Sequence, residues 1–135
     1  MNTGVATFCA GKLVALDTIE PHQIERFIRA TAPARVVFED SRLQSHTWTR
    51  AATRAAAAKM ARNVGQVDAW CYLITAVCAE LGIPVQGISP AGKGAKLNAD
   101  AFARVTGWTG KSNEHARDAA MVAWQSRAIT KLGRA

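Results

Sequence analysis

The chain is poor in cysteine, in acids and in long apolar runs, and each shortage excludes something. Its three cysteines, Cys9, Cys71 and Cys78, are odd in number, sit in apolar contexts and show no Cys-x-x-Cys spacing. A disulfide framework and a zinc site are therefore not expected; buried, reduced thiols in a cytoplasmic protein are the simplest account. No apolar run approaches the roughly 20 residues of a membrane span. The opening Met1-Asn2-Thr3-Gly4 lacks a basic stretch and a long apolar core, so no signal peptide is expected. No internal repeat or low-complexity tract stands out beyond the alanine run at 55–58, which favours helix. The Gly-rich stretch from Pro90 to Lys96 lacks the Gly-x-x-x-x-Gly-Lys-Ser/Thr pattern, so it is not a P-loop.

What remains is an ordinary globular composition with a basic surplus. The 135 residues are 49% apolar and 20% charged, which makes one domain, residues 1–135, the default. The net charge is +7 and unevenly placed. Residues 1–40 hold four Lys/Arg against five acids, whereas residues 41–135 hold thirteen against five. A basic surface around a small acidic cluster suits a nuclease, whose cations hold phosphates and whose acids hold metal. A nonspecifically basic protein would look the same by charge alone.

Hydrophobic pattern and punctuation predict the elements. Thr3–Cys9 and Lys12–Ile19 read as a hairpin turning at Ala10-Gly11. Pro21 opens a helix whose apolar face is Ile24, Phe27 and Ile28, and Pro33 ends it. Arg35–Glu39 is short, β-branched and set between helices, as a buried parallel strand would be, with its carboxylate at the C-terminal end where open α/β sheets carry functional groups. Residues 40–50 read as a loop. A long helix from about Thr53 to Leu81 carries the stripe Met60, Val64, Val67, Cys71, Ile74, Cys78 and Leu81, ends at Gly82 and cannot pass Pro84. Ile83–Ile88 is the next strand, Asn98–Val105 a short helix ended by Gly107, and the last helix starts at Ser112 or Asn113. The sum is a mixed-sheet α/β domain flanked by helices.

Two groups of residues bear on function. Between Ser41 and Arg62 lie Arg42, Arg50, Arg54, Lys59 and Arg62 with no acid, and His46 and Trp48 are interleaved. Arg and Lys there suit phosphates and Trp48 an unpaired base, although a solvated helix face with Trp48 in the core fits equally well. In the last helix the stripe Met121, Val122, Gln125, Ile129 and Leu132, carried back, passes through Asp118 and His115, three residues apart on one face. A carboxylate and an imidazole on an inward face need a partner, and a divalent metal shared with Glu39 would supply one. Taken singly, His115 reads as a solvated or capping residue, Asp118 as a partner for a nearby Arg, and Glu39 as a strand end turning to solvent.

Four segments, in this order, resemble the RuvC-type Holliday-junction resolvases of the RNase H-like superfamily: Asn2-Thr3-Gly4-Val5-Ala6, Val36-Val37-Phe38-Glu39, Asn63-Val64-Gly65-Gln66-Val67 and His115-Ala116-Arg117-Asp118-Ala119-Ala120. The resemblance implies an RNase H-like mixed sheet and two Mg²⁺ (or Mn²⁺) ions held by Glu39, His115, Asp118 and a first-strand Asp. It further implies a homodimer that nicks two symmetry-related strands of a four-way DNA junction. Lys93 or Lys96 would steady phosphate charge near the site, a solvated lysine being the plainer reading of either. The family's first strand should lie immediately before Asn2, where this sequence begins. We therefore expect an N-terminally truncated sequence, with a degenerate relative or compensation by Asp17 as alternatives. A noncatalytic binder of branched DNA and a general nuclease or RNase H are the competing functional expectations.

Overall fold

The computed structural model describes residues 2–43, 53–90 and 94–127. The chain divides into two compact units, residues 1–24 with 93–135, and residues 25–92.

The first unit is built on a hairpin. Strands β1 (Thr3–Cys9) and β2 (Lys12–Ile19) pair antiparallel from Thr3↔Ile19 to Cys9↔Lys12. The two-residue turn has positive φ at both Ala10 (52°) and Gly11 (80°), the conformation whose twist matches paired strands. Register shifts between Thr7, opposite Ala15, and Phe8, opposite Leu13; the unmatched Val14 is a bulge residue and is 52% exposed. Helices α3 (Ala99–Thr106) and α4 (Glu114–Trp124) complete the unit. Each starts where an asparagine side chain accepts a first-turn N–H: Asn98 from Ala101, Asn113 from Ala116, both at 2.8 Å. Gly107, at φ 76°, closes α3. Phe102 of α3 is fully buried, and Phe8 of β1 meets Trp124 of α4 with ring centroids 6.2 Å apart.

The second unit joins α1 (Ile24–Thr31), β3 (Val36–Glu39), α2 (Arg54–Leu81) and β4 (Val85–Ile88). α1 begins at the division between the units and follows a 3-10 turn at Pro21–Gln23. β3 and β4 pair in parallel, Val36↔Val85 through Glu39↔Ile88, across the 28-residue α2. The Thr53 hydroxyl caps α2 by accepting from Ala56 N–H at 3.0 Å, and Gly82 at φ 70° ends it. Arg29 of α1 pairs with Glu25 at 2.9 Å and with Glu80 of α2 at 3.1 Å.

The protein is thus mixed α/β, with small sheets flanked by helices. Four expectations need correction. The four strands form two two-stranded sheets among the described residues, rather than one mixed sheet; local pattern marks a strand but not its neighbour. β3 is half-buried, not buried. Cys9 is exposed at the hairpin end, whereas Cys71 and Cys78 are buried, and all three are free thiols. The α2 stripe is buried only in its C-terminal half, at Cys71 and Cys78, while Val67 is 38% exposed. No helix among the described residues is long and apolar enough to cross a membrane.

Candidate metal and nucleic-acid site

The predicted ligand set is divided: His115 and Asp118 lie in the first unit, Glu39 in the second. On α4 the buried positions are Ala116 and Ala120, at 3% and 0% exposure. They share a face four residues apart, and Gly4 explains why that face is chosen. A Cβ on Gly4 would lie 1.9 Å from the His115 carbonyl oxygen and 2.6 Å from Ala116 N. The α4 backbone rests directly on β1, so only small side chains fit between them. His115 is consequently exposed and Asp118 half-buried, with its side chain 24% exposed. This corrects the expected inward stripe through His115 and Asp118. The large apolar residues taken to define it, Met121 and Val122, are half-buried, Gln125 is exposed, and Ile129 and Leu132 lie outside the described residues.

The start of α4 is held from three sides. Asn113 Nδ2 donates to Thr18 Oγ1 of β2 at 2.7 Å. Arg117 Nε donates to the Leu97 carbonyl at 2.9 Å, and its Nη1 to Ser112 O and Oγ, both at 3.0 Å. Lys96 Nζ donates to Glu114 and lies 3.9 Å from Asp118 Oδ2. That lysine holds the Glu114 carboxyl below its ordinary range, chiefly through the hydrogen bond. Lys96, expected to be a phosphate neighbour or solvated, is thus an ammonium beside two carboxylates one helical turn apart. Glu114 did not stand out in the sequence because its spacing to Lys96, eighteen residues, carries no periodic signal. A cleft of about 490 Å³, lined by Lys12, Thr106, Trp124 and Arg127 among others, lies at the opposite end of α4 from His115.

In the second unit Glu39 ends β3, half-buried, opposite Ile88 of β4. The next residue, Asp40, is only 5% exposed. Arg42 grips it with a guanidinium fork: Nε donates to Oδ1 and Nη2 to Oδ2, both at 2.8 Å, and the Arg42 N–H donates to Oδ1 at 3.0 Å. The same guanidinium donates to Thr75 Oγ1 at 3.3 Å and lies 4.5 Å from the Tyr72 ring centroid. Beside this cluster Ser41 Oγ donates to Asp68 Oδ1 at 2.6 Å. The hydrogen bonds from Arg42 hold the Asp40 carboxyl below its ordinary value and raise Arg42 above its own. Arg42 was singled out as a phosphate contact; its fork is engaged by Asp40. Arg54 is exposed at the first turn of α2. Trp48, Arg50 and Lys93 lie outside the described residues.

Among the described residues of either unit, no three His, Cys, Asp or Glu side chains converge at metal-ligand spacing. His115, exposed, and Asp118, half-buried, in the first unit, and Glu39 in the second, carry an imidazole and two carboxylates, groups of the kinds that can ligate a divalent ion. No protein-family model matches the chain, and no curated protein matches it.

Proposed function

We propose that this chain is a metal-dependent DNA endonuclease acting on four-way junctions, with Glu39, His115 and Asp118 as ligands for Mg²⁺ or Mn²⁺. The observation that carries the reading is the setting of these residues. Glu39 sits at the C-terminal end of a strand in a parallel pair, and His115 and Asp118 sit on the accessible side of a helix whose other side is closed by Ala116 and Ala120. The order of the four segments that resemble RuvC-type resolvases, and the basic stretch that follows Glu39, support it further. A bound divalent ion supplies an activated water and charge stabilisation for in-line attack on a phosphodiester. The chain's own side chains orient the ligands: Asn113 and Arg117 fix the start of α4, and β4 fixes the end of β3. Arg54, with Arg50 and Lys93, supplies phosphate contacts, and Trp48 a stacking surface. As the resemblance implies, a homodimer would hold two such sites at the separation of the two cut strands.

A second reading, a noncatalytic binder of branched DNA, is favoured by one observation: the Lys96 ammonium already neutralises Glu114 and approaches Asp118. Cleavage of a labelled synthetic four-way junction, beside a linear duplex of matched sequence, separates the two. Paired nicks in the junction alone, dependent on Mg²⁺ or Mn²⁺ and lost in Asp118→Asn, are the expected result. Tight junction binding without nicks would select the second reading. Equal cutting of the linear duplex would make the protein a general nuclease.

A further inference from the structure

Two adjacent acids close β3: Glu39, its last residue, is half-buried, and Asp40, which follows, is buried. Successive side chains of a strand point to opposite faces, so Glu39 and Asp40 cannot both turn the same way. Asp40 N–H donates to the Ile88 carbonyl at 2.8 Å, which carries the β3–β4 ladder one step past Glu39. Its side chain then lies over Gly87: a Cβ there would be 2.8 Å from both Asp40 Cβ and Oδ2. Glycine in β4 thus opens the space that Asp40 fills, and the Arg42 fork, Thr75 and Tyr72 close it. Ser41, between the two clamp residues, is bonded to Asp68 one turn earlier on the same helix. Cys71, on the same helix face, lies with its Sγ 3.8 Å from the Glu39 carbonyl oxygen.

We infer that Asp40 and Arg42 form a positioning clamp, which commits Asp40 to the α2 side of β3 and thereby holds Glu39 on the opposite face in its metal-binding orientation. Arg42 is on this account a positioning residue rather than a phosphate contact. The reason is geometric. A guanidinium that gives its fork to a carboxylate, a further N–H to a hydroxyl and one face to a tyrosine ring has its recognition surface occupied. A one-residue slip of β3 would exchange the two acids, so the clamp also specifies register where the parallel pair is only four residues long. The inference rests on the proposed endonuclease reading for its catalytic consequence, but not for the clamp itself.

The test uses the full chain and the variants Arg42→Lys, Arg42→Ala and Arg54→Ala. Lysine keeps the charge but cannot reproduce the fork. Amide hydrogen exchange at residues 39–43 should quicken about tenfold in Arg42→Lys, with the C-terminal half of α2 unchanged. Junction cleavage should lose about tenfold in kcat with KM within about twofold, because the misplaced ligand acts on chemistry rather than on binding. The salt slope of junction binding should stay that of the parent in Arg42→Ala, while Arg54→Ala lowers it by roughly one ion. Unchanged exchange at 39–43 in Arg42→Lys would overturn the clamp whatever the activity. A salt slope lowered by one ion in Arg42→Ala, with cutting retained in Arg42→Lys, would return Arg42 to the phosphates. Exchange that quickens while cutting is unaltered would remove the link to Glu39. A parent chain that cuts nothing would sink the endonuclease reading, and exchange and salt slope would still decide the clamp.

Discussion

The missing Cβ of Gly4 and the carbonyl oxygen of His115 occupy the same space, 1.9 Å apart if a side chain were added. The helix carrying two proposed metal ligands is therefore seated on β1 by backbone contact. Gly4→Ala must push α4 off the strand, and neither partner is a flexible side-chain end. A loss of about 2–3 kcal/mol in unfolding free energy is expected, read from denaturant midpoints at constant slope. A variant as stable as the parent would show that the seat is not tight.

Asp40 links stability to acid. Its folded pKa lies below the ordinary 3.8, mainly because Arg42 bonds to the ionised form. A depressed carboxyl contributes stability that is whole above its unfolded pKa and is lost as the pH falls through the folded value. The parent should therefore lose stability below about pH 4, and Asp40→Asn should be the weaker protein at pH 7, by about 1–3 kcal/mol, yet lose less on acidification. Chemical denaturation at pH 7 and pH 3 checks this; parallel losses in both proteins would rule it out.

The cap at Asn113 does two things, accepting from Ala116 N–H and donating to Thr18. Asn113→Ala should cost about 1–2 kcal/mol, the upper part of the range for an N-cap because the tether to β2 goes with it. Asn113→Asp retains an acceptor for the cap and should recover most of the loss. Thermal unfolding of the three proteins, compared at one pH, is the measurement.

The phosphate contacts are read through salt. Arg50→Ala with Arg54→Ala should weaken junction binding and reduce the slope of log K against log salt by up to about 1.8, or about 0.9 for each phosphate released. An unchanged slope would take this stretch out of the interface.

Metal dependence is the last prediction. Chelation should abolish nicking and leave junction binding. Glu39→Gln and Asp118→Asn should each lower nicking at least about a thousandfold, as expected for ligands of a metal that supplies both nucleophile and charge stabilisation. Cutting that survives either change would show that the ligand is misassigned.

What the sequence determined by itself is the set of elements and their ends. Thr53, Asn98 and Asn113 cap helices, and Gly82 and Gly107 end them, through bonds that reach no more than five residues. The Ala10-Gly11 turn is equally local. Tertiary structure alone decided which faces those elements use. Ala116 and Ala120, not His115 and Asp118, face inward because Gly4 lets two backbones meet, and that contact joins residues more than a hundred apart in sequence. Likewise nothing in Phe38-Glu39-Asp40 says which acid is buried. The choice is made by the space over Gly87 and by Tyr72 and Thr75 on α2, groups that come near only when β4 and the long helix are in place. Periodicity reports that a side is apolar; close approach and charge pairing, which depend on the neighbour, select the side that is used.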